Sequence, residues 1–216
     1  MNDATDRLIE RLAGDAGPVR RLRPPLVRAG LWLVGAAVAA VVAIANWGDL
    51  AHVAARVSDA GTVVELVAIL TTGVLAVVAA FNLSLPDGSR AWALAPLPTL
   101  ALWIASSGYG CYTFVVQSGT SGWEWGAAVG CLRFIVGASV PLGLSLFLLL
   151  RRAHPIAPLP VAAMGGLAAA ALAAGLLELF HPFDITIIDL AAHFVAVAVV
   201  VGVASLFGRR PRPVPV

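Results

Sequence analysis

The chain has 216 residues, of which 60% are hydrophobic and 12% charged, and its mean hydropathy is +0.91. Soluble domains carry roughly 25% charged residues, so this composition excludes a water-soluble globular domain and indicates a chain built for lipid. A net charge of +2, spread along the chain, makes no basic patch of the kind that holds nucleic acid, and no direct nucleic-acid partner is expected.

Residues 1–25 form the one sizeable polar segment. They hold charges and prolines where a secretory signal would have an apolar h-region, so an N-terminus that is retained is expected. Asp3-Ala-Thr-Asp6 can cap a short helix, with Asp6 reaching back as in a capping box. Leu8, Ile9 and Leu12 then share one face, and Gly14 is the expected terminator. A helix of about ten residues is marginal alone in water, so its apolar face calls for a partner. Pro18, Pro24 and Pro25 extend the chain afterwards, and Arg20, Arg21 and Arg23 bring it to the lipid headgroups.

A bilayer span needs about 20 apolar residues. Six such stretches follow, near 27–47, 62–82, 91–112, 128–150, 159–180 and 185–207. Trp47 closes the first as an interfacial anchor. The loop Gly48–Gly61 has balanced charge, and Leu83-Ser-Leu-Pro-Asp-Gly-Ser-Arg90 is a turn, since Pro and Asp-Gly mark turns. Pro96, Pro98 and Pro141 fall inside spans. The fifth span is dense in Gly and Ala, which lets helices approach closely. The expected fold is all-α: a polytopic membrane protein, a bundle of six transmembrane helices with a short cytoplasmic amphipathic N-terminal helix. Its regions are the N-terminal segment 1–25, the transmembrane domain 26–208 and a tail, 209–216.

Orientation follows from arginine, the only strong base present. Arg7, Arg11, Arg20, Arg21, Arg23, Arg28, Arg90, Arg151, Arg152, Arg209, Arg210 and Arg212 all fall on one side of the alternating spans. Only Arg56 and Arg133 fall outside that set. Cytoplasmic loops keep Lys and Arg, so both termini are expected in the cytoplasm.

Few residues carry chemistry. Cys111 closes the third span, Cys131 opens the fourth, and His181 lies in the turn between the fifth and sixth. All three are expected near the external face. Thiolate and imidazole are ligands that zinc and copper accept. The two cysteines would instead form a disulfide in an oxidising compartment, or serve as small buried hydrophobes. Asp189 and His193 are spaced i, i+4 on one helix face, with His193 about 13 Å along the helix from Asp184. Ionisable groups at depth raise a functional hypothesis, here a proton-coupled transporter or channel, or else a hydrogen-bonded pair that fixes the sixth span. Glu65 and Glu178 read as interfacial carboxylates. Arg133 either lowers the pKa of the Cys131 thiol or snorkels to headgroups. No nucleophile triad, phosphate-cradling loop or HExxH motif occurs, so an enzyme is not expected. One in-span histidine is too few for haem, and no cofactor is expected.

Several stretches are familiar. Leu8-Ile9-Glu10-Arg11-Leu12 followed by Asp15-Ala-Gly-Pro-Val-Arg-Arg-Leu-Arg-Pro-Pro25 resembles the opening of the NrsF-type family, six-span bacterial inner-membrane proteins. The turn 83–90, Ser107-Gly-Tyr-Gly-Cys111, and Cys131 with Pro141 and Leu149-Leu-Arg-Arg-Ala-His-Pro155 resemble that family's later segments. The resemblance implies a membrane-bound anti-sigma factor that sequesters an extracytoplasmic-function sigma factor and releases it on envelope, metal or oxidative stress. It implies residues 3–25 as the sigma-binding segment, with Leu8, Ile9, Leu12, Asp15, Val19 and Leu22 as contacts. Cys131 matches the family's first sensor cysteine. The second precedes a proline in the last external turn, and that position here is His181, before Pro182. Cys111, Cys131 and His181 are therefore the sensor candidates, either as thiol partners or as a Cys/His metal site.

Overall fold

A computed structural model describes residues 3–15, 22–118, 125–180 and 186–209, the side chains of Ser118 and Ala127 excepted. Every regular element among them is helical. In chain order these are α1 (Asp3–Asp15), α2 (Pro25–Trp47), α3 (Leu50–Ser58), α4 (Ala60–Leu83), α5 (Leu97–Ser118), α6 (Trp125–Leu150), α7 (Pro158–Phe180) and α8 (Ile187–Arg209). Short 3-10 turns at Arg90–Leu94 and Arg151–Ala153 precede α5 and follow α6. Six of the helices, α2 and α4 to α8, are long and apolar enough to cross a bilayer. The all-α, six-span expectation holds.

The helices α4 and α7 form the middle of the bundle. They pack on each other, with α2 and α5 flanking α4, and α6 and α8 flanking α7. Small residues allow this arrangement. Ala168 to Ala171, Ala173 and Ala174 are all buried, so the expected role of the fifth span's Gly/Ala density in close packing holds. At Gly166 a Cβ would stand 2.8 Å from Ala204 Cβ and 3.0 Å from Val201 Cα. At Gly208 one would stand 2.8 Å from both Ala162 Cβ and the Pro158 carbonyl oxygen. Bare backbone at these two points lets α7 and α8 meet more closely than any side chain would allow.

Three boundaries differ from expectation. The loop Gly48–Gly61 holds a helix, α3, capped at its start by Asp49, whose Oδ1 accepts from Ala51 N at 2.9 Å. Asp59 ends α3 and caps α4, accepting from Thr62 N at 2.7 Å. Pro96 and Pro98 mark the point where the third stretch passes from the 3-10 turn Arg90–Leu94 into α5. Pro98 sits in the first turn of α5, where its missing N–H costs nothing, and the Pro96 carbonyl accepts from Leu100 N at 2.9 Å. Pro141 does lie inside α6. Finally, α5 runs on to Ser118 and α6 starts at Trp125. Thr113, Ser118 and Trp125 cost little at the end of a helix, so each helix outruns its apolar window.

Candidate functional site

Two regions hold the residues singled out by sequence. The first is α1. Asp3 is its first described residue, and both its carboxylate and its carbonyl accept from Arg7, at 2.9 and 3.2 Å. That i, i+4 pairing stands in place of the expected capping box with Asp6. The helix also continues through Gly14 to Asp15, so Gly14 is not its terminator. The face formed by Leu8, Ile9 and Leu12 is present and fully presented: the three are 57%, 54% and 63% exposed, and no residue of α1 is buried. Asp15 ends the helix. Leu22 is exposed just before α2, and Val19 lies outside the described residues.

The start of α2 is pinned to the bundle by polar contacts. The Arg28 guanidinium lies 4.9 Å above the centre of the Phe81 ring and donates to the Leu149 carbonyl at 2.8 Å. One turn on, Trp32 Nε1 donates to Ser145 Oγ at 3.1 Å. Ala29 and Trp32 are the buried residues of α2. Charge on Arg28 is tolerated here because a ring face and a C-terminal carbonyl of α6 both favour a cation.

Towards the opposite end a polar layer crosses the bundle, with Glu65 near the start of α4, Glu178 near the end of α7 and Ser107 deeper, in the middle of α5. Glu65 on α4 and Glu178 on α7 are not the interfacial carboxylates that their sequence positions suggest. Both are buried, at 8% and 4% exposure. Burying a carboxylate is costly unless it is paired or hydrogen-bonded, and each of these is. Glu178 is bonded to Arg56 of α3, and Glu65 accepts from the Ser107 hydroxyl of α5. Glu65, Ser107, Glu178 and His193 face a cavity of about 420 Å³ whose remaining walls are mostly apolar, among them Trp103, Leu190 and Phe194. Arg56 is one of the two arginines outside the one-sided pattern of the other twelve. Reading 48–61 as a loop hides its role, yet the caps Asp49 and Asp59 bracketing His52, Val53 and Arg56 at i, i+1, i+4 are the available signal.

Asp189 and His193 do not form a side-chain pair. Asp189 Oδ2 accepts from the Thr186 hydroxyl at 2.7 Å and the Thr186 N–H at 3.2 Å, while Asp189 N donates to Thr186 Oγ1 at 3.2 Å. That reciprocal geometry is a capping box written Thr-x-x-Asp at the start of α8. His193 Nδ1 lies 2.8 Å from the Asp189 carbonyl oxygen instead. The carboxylate is thus occupied with starting the helix, which weakens the basis for a proton path through these two residues.

Cys111 and Cys131 are buried thiols. They sit seven and six residues from the ends of their helices, deeper than expected because α5 and α6 extend further. Asp189 Oδ1 is buried and has no hydrogen-bond partner among the described residues. Arg133 is exposed. Two residues on a helix are about 200° apart, so it points away from Cys131, towards where lipid headgroups would be. His181 and Asp184 lie outside the described residues. Among the described residues no three His, Cys, Asp or Glu side chains stand close enough to hold a metal ion.

No curated protein and no solved structure matches the chain. A family profile does, over residues 12–211. The matched stretch takes in all six long helices and begins at Leu12, within α1, so Leu8 and Ile9 precede it. On that match the chain belongs to the NrsF family, described as negative regulator of sigma F.

Proposed function

We propose that this chain is a membrane-bound anti-sigma factor. It lies in the bacterial inner membrane with both termini in the cytoplasm, and α1 sequesters an extracytoplasmic-function sigma factor there. Envelope, metal or oxidative stress releases the partner. The observation that carries this reading is the exposed face of Leu8, Ile9 and Leu12 on a helix with no buried residue, in a chain whose family regulates a sigma factor negatively. An amphipathic helix of this length gains stability by laying its apolar face in a groove of a partner, and coupled ordering and binding suits reversible capture. The arginine distribution supports a cytoplasmic α1. Cys111 and Cys131, with His181, are the sensor residues of this proposal, as thiols or metal ligands at the external end.

The test is a pull-down of detergent-solubilised protein from its own cells, beside a version lacking residues 1–25. The intact chain should capture a sigma factor and the truncated one should not, with target genes switched on in the truncation strain. Capture of a sigma factor by both versions would remove α1 from the mechanism. Capture by neither would remove the anti-sigma reading.

A further inference from the structure

We infer that α3 is an external strap, seated by the Arg56–Glu178 ion pair, that sets the position of α2 and through it the availability of α1. This rests on the anti-sigma reading for its output, but its structural basis is separate.

The helix α2 is held at one end. Its two buried residues, Ala29 and Trp32, lie in its first two to three turns, where Arg28 and Trp32 also make their polar contacts with α6. From Leu33 to Trp47 no residue of α2 is fully buried, and Val34, Val38, Val41 and Val42 are exposed. The far half of the helix is held only by a half-buried stripe, Leu33, Ala36, Ala40, Ala43 and Ile44, on the side where α2 packs on α4, and by its covalent link to α3, the next element of the chain. Only Gly48 and Asp49 separate the two. Gly48 N donates to the Ile44 carbonyl at 2.8 Å, and a Cβ on Gly48 would stand 2.6 Å from that same oxygen. The corner is tight, so movement of α3 is passed to α2 with little slack.

On its own account α3 is poorly anchored. It has nine residues and none of them is buried, which is too short for a stable free helix. Its half-buried side is His52, Val53 and Arg56. This side packs on α4 and α7, and among the described residues its ion pair to the centre of the bundle is Arg56 to Glu178 on α7, with the two side chains 17% and 5% exposed. Both ends of α2 are thus governed by arginines, Arg28 at the α1 end and Arg56 through α3 at the other. An agent that unseats Arg56 removes one of the holds on the far half of α2, and α2 is the covalent path to α1.

The experiment uses the full chain with Arg56→Ala, Arg56→Lys, Glu178→Gln and the exchange Arg56→Glu with Glu178→Arg. Two readouts are used: hydrogen exchange across residues 50–58 in nanodiscs, and transcription of the genes that deletion of residues 1–25 switches on. Arg56→Ala and Glu178→Gln should speed exchange in α3 and raise that transcription several-fold at unchanged protein level. Arg56→Lys should restore much of both, and the charge exchange should move back towards the parent. Unchanged exchange in Arg56→Ala overturns the strap. Faster exchange with silent genes, where the 1–25 deletion does switch them on, overturns its coupling to α1. If the deletion itself leaves the genes silent, the anti-sigma reading fails, and the exchange data still decide whether the ion pair seats α3.

Discussion

The contact between α7 and α8 makes a quantitative demand at Gly166. An alanine there would place its Cβ 2.8 Å from Ala204 Cβ and 3.0 Å from Val201 Cα. Carbon atoms in contact rest at about 3.5–4.0 Å, so the helices must part by about 0.7 Å or more at that point. The neighbours are backbone and Cβ atoms, which cannot rotate away. Overpacking of this kind costs roughly 1–3 kcal/mol. Against it stands the intrinsic gain of Gly→Ala in a helix, about 0.8–1.0 kcal/mol. Gly202 on α8 supplies the control, since a Cβ there meets nothing within 4 Å, so Gly202→Ala takes the gain without the strain. The difference between the two variants should therefore be about 1–3 kcal/mol, with Gly166→Ala the less stable. Equilibrium unfolding in mixed micelles of rising SDS fraction, monitored by helicity, measures it. Gly208→Ala strains the same helix pair through Pro158 and Ala162, so the double variant should lose less than the sum of the singles. Equal stability of Gly166→Ala and Gly202→Ala would refute the close approach.

Three further outcomes are expected. Trp32→Phe and Ser145→Ala each remove one side of the 3.1 Å bond between α2 and α6. Each should cost roughly 1 kcal/mol in the same unfolding assay, and the pair together should cost no more than the worse single. Leu8→Asp or Leu12→Asp should abolish sigma-factor capture in the pull-down without altering unfolding, because both side chains are exposed; lost stability would show instead that α1 packs on the bundle. The Asp59 carboxyl is held below its ordinary range, first by the Thr62 N–H and then by the Thr62 hydroxyl. A depressed folded value means the cap contributes fully above the ordinary aspartate range near pH 3.9. The contribution fades as pH falls from there through the lower folded value, so protection of Gly61 to Val63 from exchange, taken relative to the intrinsic rate at each pH, should fall across that window in the parent and be flat in Asp59→Ala.

The physics of lipid explains why the spans are legible in the sequence. A helix in hydrocarbon must satisfy its own backbone, so length and apolarity alone locate a span, and the six stretches can be read with ends displaced by only a few residues. The displaced ends are those where Thr, Ser, Trp or Pro stand, residues that tolerate an interface and so blur the edge of a hydropathy window. The turn 83–90 is legible from its Pro and Asp-Gly. The polar layer is not. Glu65 and Glu178 look like surface carboxylates because each is one acid among apolar neighbours, and what makes Glu178 internal is Arg56, 122 positions away. Nothing local announces a pairing over that distance. The Thr186–Asp189 box is local, and Thr-x-x-Asp before an apolar run is a helix-start pattern. It is masked because Asp189 and His193 match the i, i+4 template of a side-chain pair equally well. The α1 face is legible in Leu8, Ile9 and Leu12, while its exact start and stop are not, because Arg7 competes for Asp3 and a glycine one residue from a helix end can be spanned as easily as it can terminate.

The distribution of small residues bears on which part of the bundle is free to move. Bare backbone at Gly166 and Gly208 joins α8 to α7, and Gly73 and Gly175 do the same between α4 and α7, where a Cβ at Gly73 would stand 2.9 Å from the Leu172 side chain and one at Gly175 would stand 3.1 Å from the Leu70 side chain. Such contacts lose much of their dispersion attraction over a gap of about 0.5–1 Å, so α4, α7 and α8 move together or hardly at all. No glycine of α2 is used in this way; a Cβ on Gly30 or Gly35 would meet nothing within 4 Å. What attaches α2 is its packing on α4 through Ala29, Trp32, Leu33 and Ala36, a few hydrogen bonds and a ring contact at one end and, through α3, an ion pair at the other. Polar contacts of this sort are each worth about 1 kcal/mol net, and they exchange partners without leaving a void. A signal arriving at the far end therefore meets least resistance along α2, which is the helix that carries α1.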